Sequence, residues 1–167
     1  MNEALISIKP RYVRRMLDGE KSVEIRNRTV NLTPESRLWI YSTLPKGCIE
    51  AVAEVGRVEV GTPYAIWHKY GDSLCISETT YRLYVNGASR VSAIKITKVS
   101  QLPSALSLSM LKICVPGFHP PQFLKYMADS DPLFLGIVQL LCASTNSEYI
   151  EEIGLTKKCS RLANAIR

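Results

Sequence analysis

The chain has 167 residues, 46% of them hydrophobic, and a formal net charge of +6. That length and apolar content suit one domain with a full core and leave no room for two independent enzymes. The positive balance favours an anionic partner such as nucleic acid. Cys48, Cys75, Cys114, Cys142 and Cys159 show no paired spacing, and an odd number is a poor basis for a complete disulfide framework, so a reducing cytoplasm is the expected compartment. No cationic flank precedes an apolar signal core, and the longest apolar run, 133–143, is broken by Gly136 and Gln139 and is too short to span a bilayer.

Residues 4–8 alternate weakly and read as a first strand. Pro10 and Gly19 bracket a helix, with Tyr12, Val13, Met16 and Leu17 as its buried stripe and Arg11, Arg14 and Arg15 outside. The next eight residues, Gly19-Glu20-Lys21-Ser22-Val23-Glu24-Ile25-Arg26, lead into a short strand. Its alternation puts Val23 and Ile25 on one face and Ser22, Glu24 and Arg26 on the other, with Lys21 at the turn. Charged side chains are mostly at surfaces, so the strand by itself reads as a solvated edge. If Lys21, Glu24 and Arg26 instead line one concave pocket, Lys21→Ala abolishes binding or activity and leaves stability nearly unchanged.

A polar loop containing Pro34 is expected over 27–36, then a strand over 37–42 with Trp39 and Tyr41 on one face and Leu38 and Ile40 on the other. A turn over 44–47 leads to a long strand over 48–60 that bends near Gly56. Short helices are expected over 63–69 and 77–85, the second opened by Ser77-Glu78 and closed by Asn86-Gly87, followed by a strand over 90–99. From Leu102 the chain reads as helical and apolar, interrupted by Pro116-Gly117 and Pro120-Pro121. It ends in a basic tail carrying Lys157, Lys158, Arg161 and Arg167. Strands with short helices between them and no regular βαβ alternation indicate an α+β fold and not a doubly wound one.

The succession of strand, helix, G-x-K-x-x-E-x-R strand, polar loop, Leu38-Trp39-Ile40-Tyr41-Ser42, turn and long strand resembles the ASCH domain (activating signal cointegrator homology) of the PUA-like superfamily. Gly19, Lys21 and Arg26 fall on the family's Gly, Lys and Arg, and the opening Leu5-Ile6-Ser7-Ile8-Lys9-Pro10 is similar to the family's start. The resemblance covers about residues 4–99. It implies a small PUA-like β-barrel with flanking short helices over 1–100, and a mainly helical C-terminal extension over 101–167 packed on or beside it. It also implies a cleft beside the barrel, with RNA or a modified nucleoside as the partner. Some relatives deacetylate acetylated cytidine through the motif's Lys, a Thr three residues later and a later Glu; others are ribonucleases. Here Lys21 matches, Glu24 stands in the place of the Thr, and Glu78 is the best later acid.

Three readings follow. In an RNA-binding module, Lys21, Arg26, Arg28, Arg11, Arg14 and Arg15 contact phosphates, and Tyr84 offers a stacking ring. In an enzyme on the same cleft, either a ribonuclease or a nucleoside amidohydrolase, Lys21, Glu24 and Glu78 are catalytic and must converge within hydrogen-bond reach of one point. No cofactor is expected, a divalent cation entering only with nucleolysis. In a protein-interaction adaptor, the apolar region 102–141 is the working surface. Trp39, Tyr41, Trp67 and Tyr81 are further stacking candidates at spacings that more often mark core. His68 and His119 stand in no metal-ligand pattern.

Overall fold

The computed structural model describes residues 2–165; Arg167 of the basic tail lies outside the described residues. The elements in chain order are β1 (Glu3–Ile8), α1 (Pro10–Leu17), β2 (Val23–Arg26), β3 (Arg37–Ser42), β4 (Cys48–Gly61), α2 (Pro63–Leu74), α3 (Glu78–Tyr84), β5 (Val91–Ser107), α4 (Leu108–Cys114), β6 (Leu124–Met127), α5 (Pro132–Ser144), α6 (Ser147–Glu152) and α7 (Thr156–Ala165). Among the described residues the strands form one sheet in the order β2-β5-β4-β3-β1-β6, curled into a half-barrel. β1 and β3 run parallel and the other neighbouring pairs are antiparallel. The expected α+β barrel is therefore present as a half-barrel with helices around it.

Local chemistry accounts for the elements that frame the site. Pro10 occupies the first turn of α1, where its missing N–H costs nothing, and Gly19 takes φ 77° just past the helix end. Val13 and Met16 are buried, and Arg14 is outside as the periodicity requires. Thr62 and Ser77 cap α2 and α3 by accepting from the N–H groups of Ala65 and Thr80. β4 and β5 pair from Gly61↔Val91 to Cys48↔Ser107, with register shifts on both sides of Val55. Gly56 sits at that bend, where a Cβ would come within 2.6 Å of the Thr97 methyl, so a larger residue there would displace the Thr97 side chain.

The C-terminal region carries the helices expected from the sequence, α4 to α7, and departs from the expectation at its start and at β6. The boundary at 100/101 falls inside β5, and β6 pairs with β1 from Glu3↔Met127 to Ile6↔Leu124. Residues 102–107 are strand, not helix. Leu102 and Leu106 are buried on one face, and a spacing of four shares a face in both periodicities, so the pattern there does not separate helix from strand. The apolar run is interior as well. Leu111, Leu133, Phe134, Ile137, Val138 and Leu141 form one core with Leu5, Trp39 and Tyr41, so the surface an adaptor would use is packed against the sheet.

Two further ties hold this region. Glu3, 1% exposed, accepts from Arg37 Nη2 at 2.6 Å and Trp39 Nε1 at 2.9 Å, while Arg37 Nη1 donates to the carbonyl of Ile153. Cys142 and Cys159 form a disulfide with Cα atoms 6.0 Å apart, joining α5 to α7, which the scattered spacing did not anticipate. Cys48, Cys75 and Cys114 are free. Among the described residues no helix is long and apolar enough to cross a membrane.

Candidate functional site

β2 lies at one edge of the sheet, paired only with β5 among the described strands. Val23 and Ile25 face a core made with Ile66, Tyr70, Leu74 and Tyr81, as their alternation requires. The other face of β2 carries Glu24 and Arg26, each 7% exposed, with Lys21 beside them at 3%. The solvated edge expected from residue type is thus a buried ion-pair floor. What keeps it charged and buried is the pairing of Lys21 with two carbonyls and of Glu24 with two cations.

Lys21 Nζ donates to the carbonyls of Val23 (2.7 Å) and Leu74 (2.9 Å) and lies 3.3 Å from Glu24 Oε2. Leu74 ends α2, so the ammonium sits where that helix presents unpaired carbonyls and the negative end of its dipole. The chain turns away at Cys75, which takes the left-handed conformation at φ 54°. Glu24 Oε1 forms an ion pair with Arg26 Nη2 at 3.1 Å, and the same nitrogen donates to the carbonyl of Ser7 at 3.0 Å. The Arg26 guanidinium lies 5.9 Å from the Phe123 ring, as does that of exposed Arg28. Lys21 donates to two carbonyls and pairs with one carboxylate, and Glu24 is held between two cations. The trio carries one net positive charge and offers no unengaged general base.

Above this floor is a cleft of about 200 Å³ walled by α1, β2 and α3, lined by Ser7, Lys9, Arg11, Tyr12, Ile76, Thr80 and Tyr84 together with the ion-pair residues. Its size falls below the roughly 300–1,000 Å³ of drug-sized pockets, which suits one ring system. Two tyrosine rings border it. Tyr12 lies 4.7 Å from the Arg11 guanidinium and 5.6 Å from Lys21 Nζ, and Tyr84, 38% exposed, donates to the carbonyl of Ile25 at 3.4 Å. Ser7 Oγ and Arg26 Nε are buried without a hydrogen-bond partner among the described residues.

The remaining sequence candidates are placed elsewhere. Arg14 pairs with Asp18 at 3.0 Å and Arg15 with Glu20 at 3.7 Å, so these two arginines turn away from the cleft and are matched by acids. Glu78 pairs with Arg82 at 2.6 Å and lines a different cleft, so Lys21, Glu24 and Glu78 do not converge on one point. Trp39 and Tyr41 are core. No group of three or more His, Cys, Asp or Glu is placed to hold a metal ion among the described residues. Ser7, Lys9, Tyr12 and Thr80 escaped sequence reading, as did Phe123. Tyr12 is visible only as part of a helix stripe, and Phe123 reaches Arg26 from 97 residues along the chain.

A half-barrel of PUA-like type with a buried ion-pair floor beneath a small, cation-rimmed cleft defines the class. The profile of the family described as a domain of unknown function (DUF365) matches residues 5–117. An ASCH domain-containing ribonuclease of Zymomonas mobilis is 30% identical over 125 residues, covering 75% of this chain and 84% of that protein. The crystal structure of ASCH from Zymomonas mobilis matches with a TM-score of 0.75 at 28% identity, over 83% of this chain and 94% of that one. Human THYN1 protein, solved in complex with 5-methylcytosine-containing DNA, shares the fold with a TM-score of 0.52 at 8% identity, over 83% and 98% of the two chains. The chain belongs to the ASCH domain family.

Proposed function

We propose that this protein binds single-stranded RNA by taking one unpaired nucleotide into the cleft between α1, β2 and α3. The observation that carries the reading is the division of labour among the cations. Lys21 and Arg26 are consumed in holding Glu24, while Lys9 and Arg11 at the mouth are exposed and have no acidic partner among the described residues. Such cations neutralise phosphate. Tyr12 and Tyr84 supply faces on which any base stacks.

A second reading is favoured by the relationship to the Zymomonas mobilis ribonuclease: the bound strand is also cleaved. With Glu24 locked between cations, such cleavage rests on holding the scissile phosphate in line and on stabilising its charge, not on proton abstraction by this carboxylate. Deacetylation of a nucleoside through Lys21, Glu24 and Glu78 loses its support, because Glu78 is outside the cleft.

The test is binding of a labelled single-stranded RNA, its duplex and the same strand as DNA, followed by gel analysis of the RNA. Binding to the single strand, weakened by Arg11→Ala and by Tyr84→Ala without loss of thermal stability, is the expected result. Equal affinity of both variants and the unaltered protein contradicts the cleft as the site. Cleavage that co-purifies with the protein and falls in Arg11→Ala establishes the second reading.

A further inference from the structure

α3 separates two clefts. Thr80 and Tyr84, one turn apart, face the ion-pair cleft, and Tyr81, Arg82 and Val85 are turned by roughly 100–200° about the helix axis. On that far side, with α2, lies a second cleft of about 240 Å³. Its walls are aromatic. Trp67 packs against Tyr81 with ring centroids 4.9 Å apart, and its indole also lies against Gly71, where a Cβ would sit 3.3 Å away. Tyr64, 79% exposed, is the ring left open. Both hydrogen bonds from Arg82 go to Glu78 Oε1, which leaves Oε2 without a partner among the described residues.

We propose that this second cleft holds another unpaired base of the RNA strand whose nucleotide occupies the first, stacked on Tyr64, with Glu78 Oε2 accepting from an exocyclic amine. The inference rests on the RNA reading of the ion-pair cleft. Continuity argues for the strand: α3, a ridge about 10 Å across, is what separates the two clefts, a span that one backbone step of an extended single strand crosses. An aromatic groove also suits a proline-rich peptide, but only an RNA strand already seated in the first cleft reaches this one without a second partner. The carboxylate in turn selects adenine or cytosine over uracil.

Trp39 is fully buried, so tryptophan quenching by a ligand reports Trp67. The probes are end-labelled octanucleotides of adenosine and of uridine, read by anisotropy and by tryptophan emission. The expected result is that the adenosine octamer binds, quenches the emission and prefers this protein over the uridine octamer severalfold. Tyr64→Ala should weaken it about tenfold, the order of one base–aromatic stack, and Glu78→Ala should erase the preference. Failure of both octamers to bind overturns the RNA reading and this inference with it. Binding with unchanged emission and unchanged affinity in Tyr64→Ala leaves the first cleft standing and overturns the second. Quenching by a proline-rich peptide but not by the octamers also overturns it and assigns the groove to a protein partner.

Discussion

Replacing Lys21 by methionine keeps the aliphatic stem and removes the ammonium from a site that is 3% exposed. Two carbonyls, Val23 and Leu74, lose a charged donor, and Glu24 loses one of its two cations. Breaking a buried ion pair costs about 3–5 kcal/mol, and because Arg26 still holds Glu24 at 3.1 Å the lower end applies, about 3 kcal/mol. For a chain of this size that is a fall in Tm of roughly 6–12 °C. Urea unfolding followed by circular dichroism, with a thermal scan of the same samples, measures both. Adding Glu24→Met to Lys21→Met should cost less than the sum of the two single changes by at least about 1 kcal/mol, since they share one contact. A Lys21→Met protein within about 0.5 kcal/mol of the unaltered one, the value typical of a surface change, would refute the buried floor and restore the solvated edge that residue type alone suggests.

Salt should weaken RNA binding with a log-log slope of roughly 0.7 per neutralised phosphate; Arg11→Ala with Arg28→Ala should lower the slope by about 1.4, whereas Arg14→Ala with Arg15→Ala, which are paired with acids away from the cleft, should leave it unchanged. Burial pushes the Tyr81 hydroxyl up to about 12 from 10.0, and it donates to the carbonyl of Pro63. A raised acid stabilises the fold below its unfolded value, so that contribution is complete below pH 10 and is lost as pH rises toward 12; Tyr81→Phe should flatten the loss of stability over that interval in a thermal scan series. Reduction of the Cys142–Cys159 bond, which closes a loop of separation 17, should lower unfolding free energy by about 3 kcal/mol, with Cys142→Ser showing the same loss and no further response to reductant.

How far the sequence reaches is clear from particular residues. The strand alternation of β2 and the Pro10–Gly19 brackets of α1 are local signals, and the structure places Val23, Ile25, Val13 and Met16 as they require. The burial of Glu24 and Arg26 is not local. It depends on α2 ending at Leu74, whose carbonyl meets Lys21 across 53 residues, and no pattern within the motif encodes that meeting. Arg11, Arg14 and Arg15 look alike in sequence and part company through their neighbours: Asp18 and Glu20 claim two of them, and Arg11 rests on Tyr12. Beyond residue 100, Leu102 and Leu106 satisfy either periodicity, and β6 is a strand because β1 offers it an edge.

Amide chemical-shift mapping of isotopically labelled protein with a short single-stranded RNA tests the cleft most directly. Binding in the cleft predicts the largest shifts at Ser7, Ile8, Ile25, Arg26, Thr80 and Tyr84, all of which line it, with saturation that weakens as salt is raised. Shifts confined to other surfaces, or none at saturating RNA, would contradict it.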